Sequence, residues 1–500
     1  MGALSQQSYE RGLTLSRQGR HFEAIASFEA ALAAKPDDAK ILFALGHTAE
    51  ALGLPVPAEA FYRKVLEREP GRLEALVNLA NLLRVQGRFA AAAALLEPHC
   101  RNAKNPELHL TLGSAWREQG DYDKAADCYR AALKADPDYA PALSNLADLL
   151  TDAGQRQEAL TLYGRALEAE PANAQLRLNR AILHLLAGDL AQGWRDYEAR
   201  LDVGGKVPTS DLRLPVWNGG SLAGKRLLVR AEQGVGDQLM FASCLPELAD
   251  RAAREGGHLV VECEPRLVSL LTRSLPDCTV HAANWRSADG KVIASYDWLN
   301  AGADLQIFLG SIPSHLRRAL PQFPAPHAYL RADEEERARW RATFAAHGNG
   351  PFVGICWRSG KSGGHRALQY APLSAWGKLL RELPGTAVSA QYDATRDEIA
   401  ELEQLSGRTL LVPQKLDQKN ELDRSCAMLA ALDSVISAPT AVSWLAAGAG
   451  VRTFKMLYDT SWTAFGQSIE PLAPACTLVM PKIRGDWADA FAQVTPLLSR

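Results

Sequence analysis

Small, large apolar and proline positions recur along the first two hundred residues at intervals of 33 or 34. Each interval contains two helical patterns, and a proline stands near the end of the second, where it can stop a helix. These prolines are Pro36, Pro70, Pro137 and Pro171. Three further kinds of position return once per interval. They are the alanines Ala24, Ala58, Ala92, Ala125 and Ala159, the large residues Phe28, Tyr62, Leu96, Tyr129 and Tyr163, and the turn glycines Gly87, Gly120, Gly154 and Gly188.

A small residue also recurs in the first helical pattern of the intervals. These residues are Gly12, Gly46, Gly113, Ala147 and Ala181. Small residues let the two helices of a hairpin approach, and the large side chain fills the gap to the next hairpin. The pattern resembles five tetratricopeptide repeats and predicts an α solenoid over residues 1–203. A partial sixth unit, with Gly188, Trp194 and Tyr197, is expected to cap the solenoid.

The pattern changes after Leu201. The segment 201–224 is rich in Gly, Pro and Ser, which is typical of a linker. Short apolar runs then alternate with helical patterns, which predicts a parallel sheet with helices on both faces. The predicted strands are Arg226–Ala231, His258–Cys263, Phe352–Trp357, Thr386–Gln391, Thr409–Val412, Ser434–Ser437 and Val451–Leu457. A second linker near Pro321–Pro326 divides this region into two Rossmann-like lobes, at about 213–330 and 350–500, with a cleft between them.

Composition narrows the function classes. A net charge of −2 gives no sign of a nucleic-acid or anionic-membrane partner. The eight cysteines form no CxxC pair, so neither zinc nor a disulfide framework is indicated, and no carboxylate pair is suited to Mg²⁺. The polar N-terminus lacks the apolar run of a secretory signal, and no stretch has the length of a membrane span. The sequence therefore predicts a cytoplasmic protein without a metal or bound cofactor.

Candidate chemistry lies in loops that follow predicted strands, where open parallel sheets bind ligands. In the first loop, Gly234 and Gly236 permit close backbone approach, and Asp237 lies at or near a helix start. Asp237 is either a functional carboxylate facing the cleft or an N-cap. The lone GxG does not match the full dinucleotide fingerprint.

Two loops of the second predicted lobe have features of anion sites. The loop 357–365 places Arg358 and Lys361 among serines and glycines, which suits a phosphate but also fits a solvated basic loop. In the segment 437–443, the amides of Thr440, Ala441 and Val442 lie at the positive end of a helix dipole. Ordinary capping is the alternative there. Weaker candidates are Gln391 and Tyr392 at a strand end, Asp423 as a cap or ribose contact, and Trp444, Trp462 and Trp487 as packing residues or platforms.

Five segments together resemble a bacterial family in which tetratricopeptide repeats are fused to a GT-B glycosyltransferase domain related to the heptosyltransferases. They are GWRDYEARL at 193–201, PVWNG at 215–219, LLVRAEQGVGDQLMF at 227–241, VGICW at 353–357 and residues 432–450. The architecture is also similar to O-GlcNAc transferase and to flagellin O-glycosyltransferases. The resemblance implies Asp237 as general base, Arg358 and Lys361 on the donor phosphate, and the helix after Ser437 on the nucleotide sugar.

The resemblance predicts a metal-independent protein O-glycosyltransferase. Its acceptor protein, such as flagellin, would lie on the repeats, and its co-substrate would be a nucleotide sugar, such as a CMP-nonulosonic acid. Two positions depart from the family's usual DTAVAHLAGALG, since Pro439 replaces Asp and Trp444 replaces His. These changes indicate a different donor or a catalytically inactive scaffold. A transferase acting on a lipid or glycan, with repeats used for assembly, is a further alternative.

Overall fold

The computed structural model describes residues 2–101, 103–204, 207–232, 234–288, 291–299, 302–325, 327–360 and 369–498. The chain falls into two compact units, Met1–Leu176 and Arg177–Arg500. The division of the chain into domains at 1–203, 213–330 and 350–500 stays a prediction. No helix among the described residues has the length and apolarity to cross a membrane.

Helical hairpins make up the first unit, which confirms the predicted solenoid of tetratricopeptide type. Its helices are α1 Gly2–Arg17, α2 His21–Ala34, α3 Ala39–Ala51, α4 Pro55–Arg68, α5 Leu73–Val85, α6 Phe89–Cys100, α7 Pro106–Gln119, α8 Tyr122–Ala135, α9 Ala140–Asp152 and α10 Arg156–Ala169. The helix α11 Ala174–Leu186 begins at the end of this unit. Pro36, Pro70, Pro137 and Pro171 each follow the end of a second helix by two residues, as the periodicity predicts.

The recurring small and large residues meet inside each hairpin. A Cβ atom placed on Gly12, Gly46 or Gly113 would lie 2.5–2.8 Å from the ring of the same hairpin, on Phe28, Tyr62 or Tyr129 respectively. The five recurring alanines and the five large side chains are all buried. The ring thus packs on the glycine of its own hairpin, which lets the two helix axes approach.

Adding a methyl group at Gly113 tests this packing. We expect Gly113→Ala to lower the free energy of unfolding of the first unit by about 1–3 kcal/mol, because Tyr129 is buried and its ring cannot move aside without strain. Urea unfolding followed by far-UV circular dichroism measures the change. Gly164→Ala is the matched control: the position faces open space in α10, so it should gain up to about 1 kcal/mol from helix propensity. Equal effects at the two positions would contradict the packing account.

The second unit begins within α11, at Arg177, and contains α12 Leu190–Tyr197. It continues as an α/β structure with two parallel sheets. The strands of the first part are β1 Arg226–Arg230, β2 His258–Cys263, β3 Thr279–Ala282, β4 Asn284–Ala288, β5 Lys291–Ser295 and β6 Leu305–Phe308. Its helices are α13 Val235–Phe241, α14 Leu245–Arg254, α15 Val268–Ser274 and α16 Pro313–Leu316. The sheet order is β3-β2-β1-β6, and β4 and β5 form a separate antiparallel hairpin.

The later part of the second unit contains the larger sheet, with order β11-β10-β9-β7-β8. Its strands are β7 Phe352–Cys356, β8 Thr386–Ser389, β9 Ser434–Ser437, β10 Thr453–Met456 and β11 Cys476–Val479. Its helices are α17 Glu334–His347, α18 Leu373–Glu382, α19 Arg396–Ser406, α20 Leu422–Ala430, α21 Ala441–Gly448 and α22 Trp487–Leu498. The central strand β7 is buried along its whole length, which explains its apolar run FVGIC.

Two sequence predictions are wrong in this unit. The segment 201–224 is not a free linker, since Val216 forms a parallel bridge to Gln306 at the sheet edge and the Trp217 side chain is buried. The segment Thr409–Val412 is not a strand, because only Leu411 forms an isolated bridge, to Val388. In both segments the tertiary environment outweighed local composition.

The segment GWRDYEARL, at 193–201, is built into the core of the second unit. Trp194 of α12 lies in edge contact with Phe241 and Phe465, and its indole N–H donates to the carbonyl of Arg317 at 2.9 Å. Arg200 forms a buried ion pair with Glu232, with guanidinium-to-carboxylate distances of 2.6 and 2.9 Å. The motif is therefore explained by packing and ion pairing.

Candidate functional site

A cleft of about 610 Å³ lies in the second unit. Loops that follow β1, β2, β7 and β9 contribute to its wall, so it lies beyond the carboxyl ends of strands from both sheets. The described lining residues are Gly234, Val235, Gly236, Asp237, Arg266, Ser359, Gly360, Tyr392, Gln418, Lys419, Leu422, Ser425, Leu429, Pro439, Thr440, Ala441, Val442, Trp444 and Leu445. Six residues proposed from the sequence are thus brought together: Gly234, Gly236, Asp237, Thr440, Ala441 and Val442.

Asp237 lies in the first turn of α13. Gly234 is the N-cap of this helix. The Gly234 backbone N–H donates a hydrogen bond to the Asp237 carboxylate oxygen Oδ2 at 3.2 Å. A carboxylate in this position stabilises the helix start. Asp237 therefore makes a capping contact, but from the third helical position and not as the N-cap itself. The same residue also lines the cleft.

The protonation of Asp237 is set by its half-buried position. Burial is the largest influence and raises the pKa of the carboxyl group, while the Gly234 N–H lowers it and the nearby charge of Glu232 raises it. The result is a pKa above the ordinary aspartate value. A carboxylate of raised pKa is a stronger proton acceptor than a free aspartate.

The start of α21 faces the same cleft. Thr440 is its N-cap, and the Thr440 hydroxyl accepts from the backbone N–H of Val442 at 3.3 Å. The predicted anion contact therefore rests on the Thr440 and Ala441 amides, since the Val442 amide takes part in the cap. A Cβ atom on Gly236 would lie 3.9 Å from Ala441 Cα and from Trp444 Cδ1. The two helix starts are thus close neighbours, although a side-chain carbon at 236 would make only ordinary van der Waals contact.

Arg358 and Gln391 are not among the described residues that line the cleft. The Arg358 guanidinium donates to Glu398 at 2.7 Å and to Asp393 at 3.0 Å, and the hydrogen bond to Glu398 raises its pKa. Gln391 Oε1 accepts from the backbone N–H groups of Trp357 and Arg358 at 3.0 Å each. Both side chains hold the loop after β7 in shape, a role that sequence spacing did not indicate. Lys361 lies outside the described residues.

Two cations that the sequence analysis missed do line the cleft. Arg266 follows β2, and one of its terminal nitrogens donates to the carbonyl of Lys419 at 2.7 Å. Lys419 lies in an exposed turn ahead of α20. The position of Arg266 three residues beyond a predicted strand was a usable signal, because carboxyl ends of parallel strands share one edge. Nothing local to Lys419 indicates a site.

The weaker candidates separate into site and packing residues. Tyr392 and Trp444 line the cleft, and the Tyr392 hydroxyl accepts from the Gly360 backbone N–H. Asp423 pairs with Arg273, and Glu421 is the N-cap of α20, so the cap prediction for Asp423 is wrong. Asp423 is not among the described lining residues of the cleft, and its ribose contact stays a prediction. Trp462 packs on Trp194. Within the described ranges, no group of three or more His, Cys, Asp or Glu side chains is arranged to hold a metal ion.

Comparison with known proteins first identifies the repeats. Two tetratricopeptide-repeat family models match residues 8–172 and 144–202. The human protein O-mannosyl-transferase TMTC1 is 30% identical over 173 residues, which is 34% of this chain and 20% of that protein. Among solved structures, TTC0263, a tetratricopeptide-repeat protein of Thermus thermophilus, is 30% identical, with a TM-score of 0.31, and covers 36% of this chain and 99% of its own.

The similarity to a further relative extends through both units. Protein FlbA of Caulobacter vibrioides is 30% identical over 501 residues, which covers 97% of this chain and 83% of that protein. The α/β unit is therefore shared along with the repeats. By this length of similarity, the chain belongs to the family of tetratricopeptide-repeat proteins that includes Protein FlbA.

Proposed function

We propose that this chain is a cytosolic, metal-independent protein O-glycosyltransferase of GT-B type, which moves a sugar from a nucleotide sugar to Ser or Thr of an acceptor protein. The observation that carries the proposal is the cleft, where the Asp237 carboxylate and the N-terminus of α21 are brought together beyond the strands of two parallel sheets. The two sheets would form the paired lobes of a GT-B fold. The name of the human relative, a protein O-mannosyl-transferase, agrees with the reaction class.

In this reaction Asp237 accepts the proton from the acceptor hydroxyl as its oxygen bonds to the anomeric carbon. The bond between that carbon and the donor phosphate breaks, and negative charge develops on the leaving phosphate. The Thr440 and Ala441 amides at the start of α21 would stabilise this charge. Arg266 and Lys419 would take the cationic role first assigned to Arg358, because both line the cleft and Arg358 is not among the described lining residues. The Arg266 guanidinium also pairs with Glu264 at 2.8 Å.

The repeats would hold the acceptor protein. Stacked hairpins form an extended surface of the kind that binds polypeptides. The combination of repeats with a transferase domain favours flagellin as the acceptor. The donor would then be a CMP-linked nonulosonic acid. The alternative is a scaffold that binds partners through both units without catalysis, and the Pro439 and Trp444 departures in the donor segment favour that reading.

Donor binding separates the two functions. Isothermal titration of the full chain with CMP- and UDP-sugars should show saturable binding. In a second experiment, the intact mass of co-expressed flagellin should increase by the mass of one sugar or more. Catalytic transfer requires both results. A chain that binds none of the nucleotide sugars is a scaffold, and the transferase proposal then fails.

A further inference from the structure

Trp444 is a partly exposed aromatic side chain in the wall of the cleft. The ammonium group of Lys455, on β10, lies 3.6 Å from the centroid of the indole ring. A cation over an indole face is attracted by the ring's quadrupole, and this attraction is strong where water is excluded. The indole is therefore held in one position before any ligand arrives.

The Lys455 ammonium is itself fixed by a buried ion pair. It lies 2.9 Å from Glu470 Oε2, and the two side chains are 3% and 0% exposed. The Thr463 hydroxyl donates to the same carboxylate oxygen at 3.0 Å. Because a buried ammonium cannot leave its carboxylate without a large desolvation cost, the support beneath Trp444 is rigid. Such preorganisation favours ligand binding, since little side-chain freedom is lost on association.

The cleft around Trp444 has two chemical regions. Apolar side chains of α20 and α21 form one region, and they include Leu422, Leu429 and Leu445. Arg266, Lys419 and the amides at the start of α21 form the other. A ligand that matches both regions has a flat apolar ring joined to an anionic group. A nucleotide has this form, and the cleft volume of about 610 Å³ lies in the range typical of small-molecule sites.

Other anionic ligands match less well. A sugar phosphate lacks a flat ring to cover the indole, and a polyprenyl phosphate carries a chain far larger than the cleft. Tyr392 is the other aromatic side chain of the described lining, and its hydroxyl accepts from the Gly360 amide. Its single ring offers a smaller stacking face than the indole of Trp444. Among the lining residues that the structure describes, Trp444 is thus the aromatic group prepared for stacking.

We infer that Trp444 is the base-stacking residue of the cleft, and that the ligand is recognised as a nucleotide by stacking of its base on this indole. The inference rests on the proposed function, which it deepens by assigning the part of the donor that binds at Trp444. Stacking tolerates any base, because every nucleobase has a π face. Discrimination among bases would then come from polar side chains that line the cleft, such as Gln418 and Ser425.

The test titrates the full chain with CMP, UDP, GDP, ADP and ribose 5-phosphate, using calorimetry and tryptophan emission. Wild type should bind a nucleotide with quenching of emission and bind ribose 5-phosphate much more weakly. Trp444→Met keeps apolar bulk but removes the ring, so nucleotide affinity should fall about 5- to 150-fold. Trp444→Phe retains a ring and should restore most of the affinity. Neither variant should change affinity for ribose 5-phosphate.

Trp487→Phe is the matched control, since Trp487 lies beside Tyr458 and is not among the described lining residues of the cleft. It should bind nucleotides as wild type does. Nucleotide affinity that is equal in Trp444→Met and wild type, with native circular dichroism for both, overturns the stacking inference and leaves the transferase proposal intact. Wild type that binds none of the four nucleotides sinks both the inference and the proposed function.

Discussion

Replacing Asp237 by asparagine is expected to lower the rate of sugar transfer about 10²- to 10⁴-fold and to leave donor binding unchanged. Asparagine preserves the shape of the side chain, and its amide oxygen can still accept from the Gly234 N–H that now bonds Oδ2 at 3.2 Å. What the variant loses is the ability to accept a proton from the acceptor hydroxyl. The rate is measured as sugar added per acceptor molecule over time, and donor binding is measured by calorimetry.

The pH dependence of the wild-type rate gives an independent readout of the same group. Burial raises the pKa of Asp237 in the folded protein. A general base works only when ionised, so the rate should fall as pH drops through this raised pKa. The acid limb should therefore lie above the value of about 3.9 typical of a free aspartate. Residual transfer by Asp237→Asn should lack this limb.

A matched carboxylate supplies the control for the Asp237 variant. Asp250 is exposed on α14, so Asp250→Asn should keep the wild-type rate and pH profile. Equal transfer rates for wild type and Asp237→Asn, with the same acid limb, would remove Asp237 from the chemistry and reduce its role to capping α13.

Replacing Arg200 by methionine is expected to destabilise the second unit by about 3–5 kcal/mol, because it removes the guanidinium that compensates the charge of the buried Glu232 carboxylate. The two side chains are only 3% and 2% exposed. Glu232 also accepts from the Gly310 backbone N–H at 2.7 Å, and Arg200 donates to Ser311 at 2.8 Å. The pair thus holds three separate segments together, including the loop that leads to Asp237.

Tryptophan emission during urea unfolding measures this loss, since every tryptophan except Trp116 lies in the second unit. Arg337→Met is the control: Arg337 and its partner Glu334 are 48% and 76% exposed, and exposed pairs contribute about 0–1 kcal/mol. The double variant Arg200→Met with Glu232→Met removes both charges and should recover part of the loss. Similar unfolding midpoints for Arg200→Met and Arg337→Met would show that the buried pair contributes no more to the free energy of unfolding than an exposed pair does.

Local spacing predicted much of the architecture. The recurring alanines and rings of the repeats depend on contacts between helices adjacent in the chain, so their periodicity predicts their burial. Apolar runs such as Phe352–Cys356 identified central strands, because a parallel sheet buries both faces. Peripheral strands such as β3 and β4 carry partly exposed residues without such a run, and the sequence analysis did not find them.

Part of the candidate site could also be predicted from the sequence, because strand direction determines which loops lie at the carboxyl edge of a parallel sheet. Asp237 and Thr440 lie in the connections that follow β1 and β9, so strand direction places each of them at the carboxyl edge of its own sheet. Only the packing of the two sheets brings these two edges to one cleft. The environment of Arg358 did not follow, because its partners Asp393 and Glu398 lie 35 and 40 residues further on, and only the folded lobe brings them to the guanidinium. A loop cation looks the same in sequence whether it faces a ligand or a carboxylate.

Sequence alone was sufficient for the repeat solenoid, the βα alternation and three of the loops that line the cleft, because these depend on periodicity and chain direction. Folding in three dimensions assigned these side chains their partners: Arg200 to Glu232, Arg358 to Glu398, and Lys455 to the indole of Trp444. The physical reason is that charge pairing and stacking act over a few ångströms between residues distant in the chain. Which groups come that close is set by how helices and sheets pack.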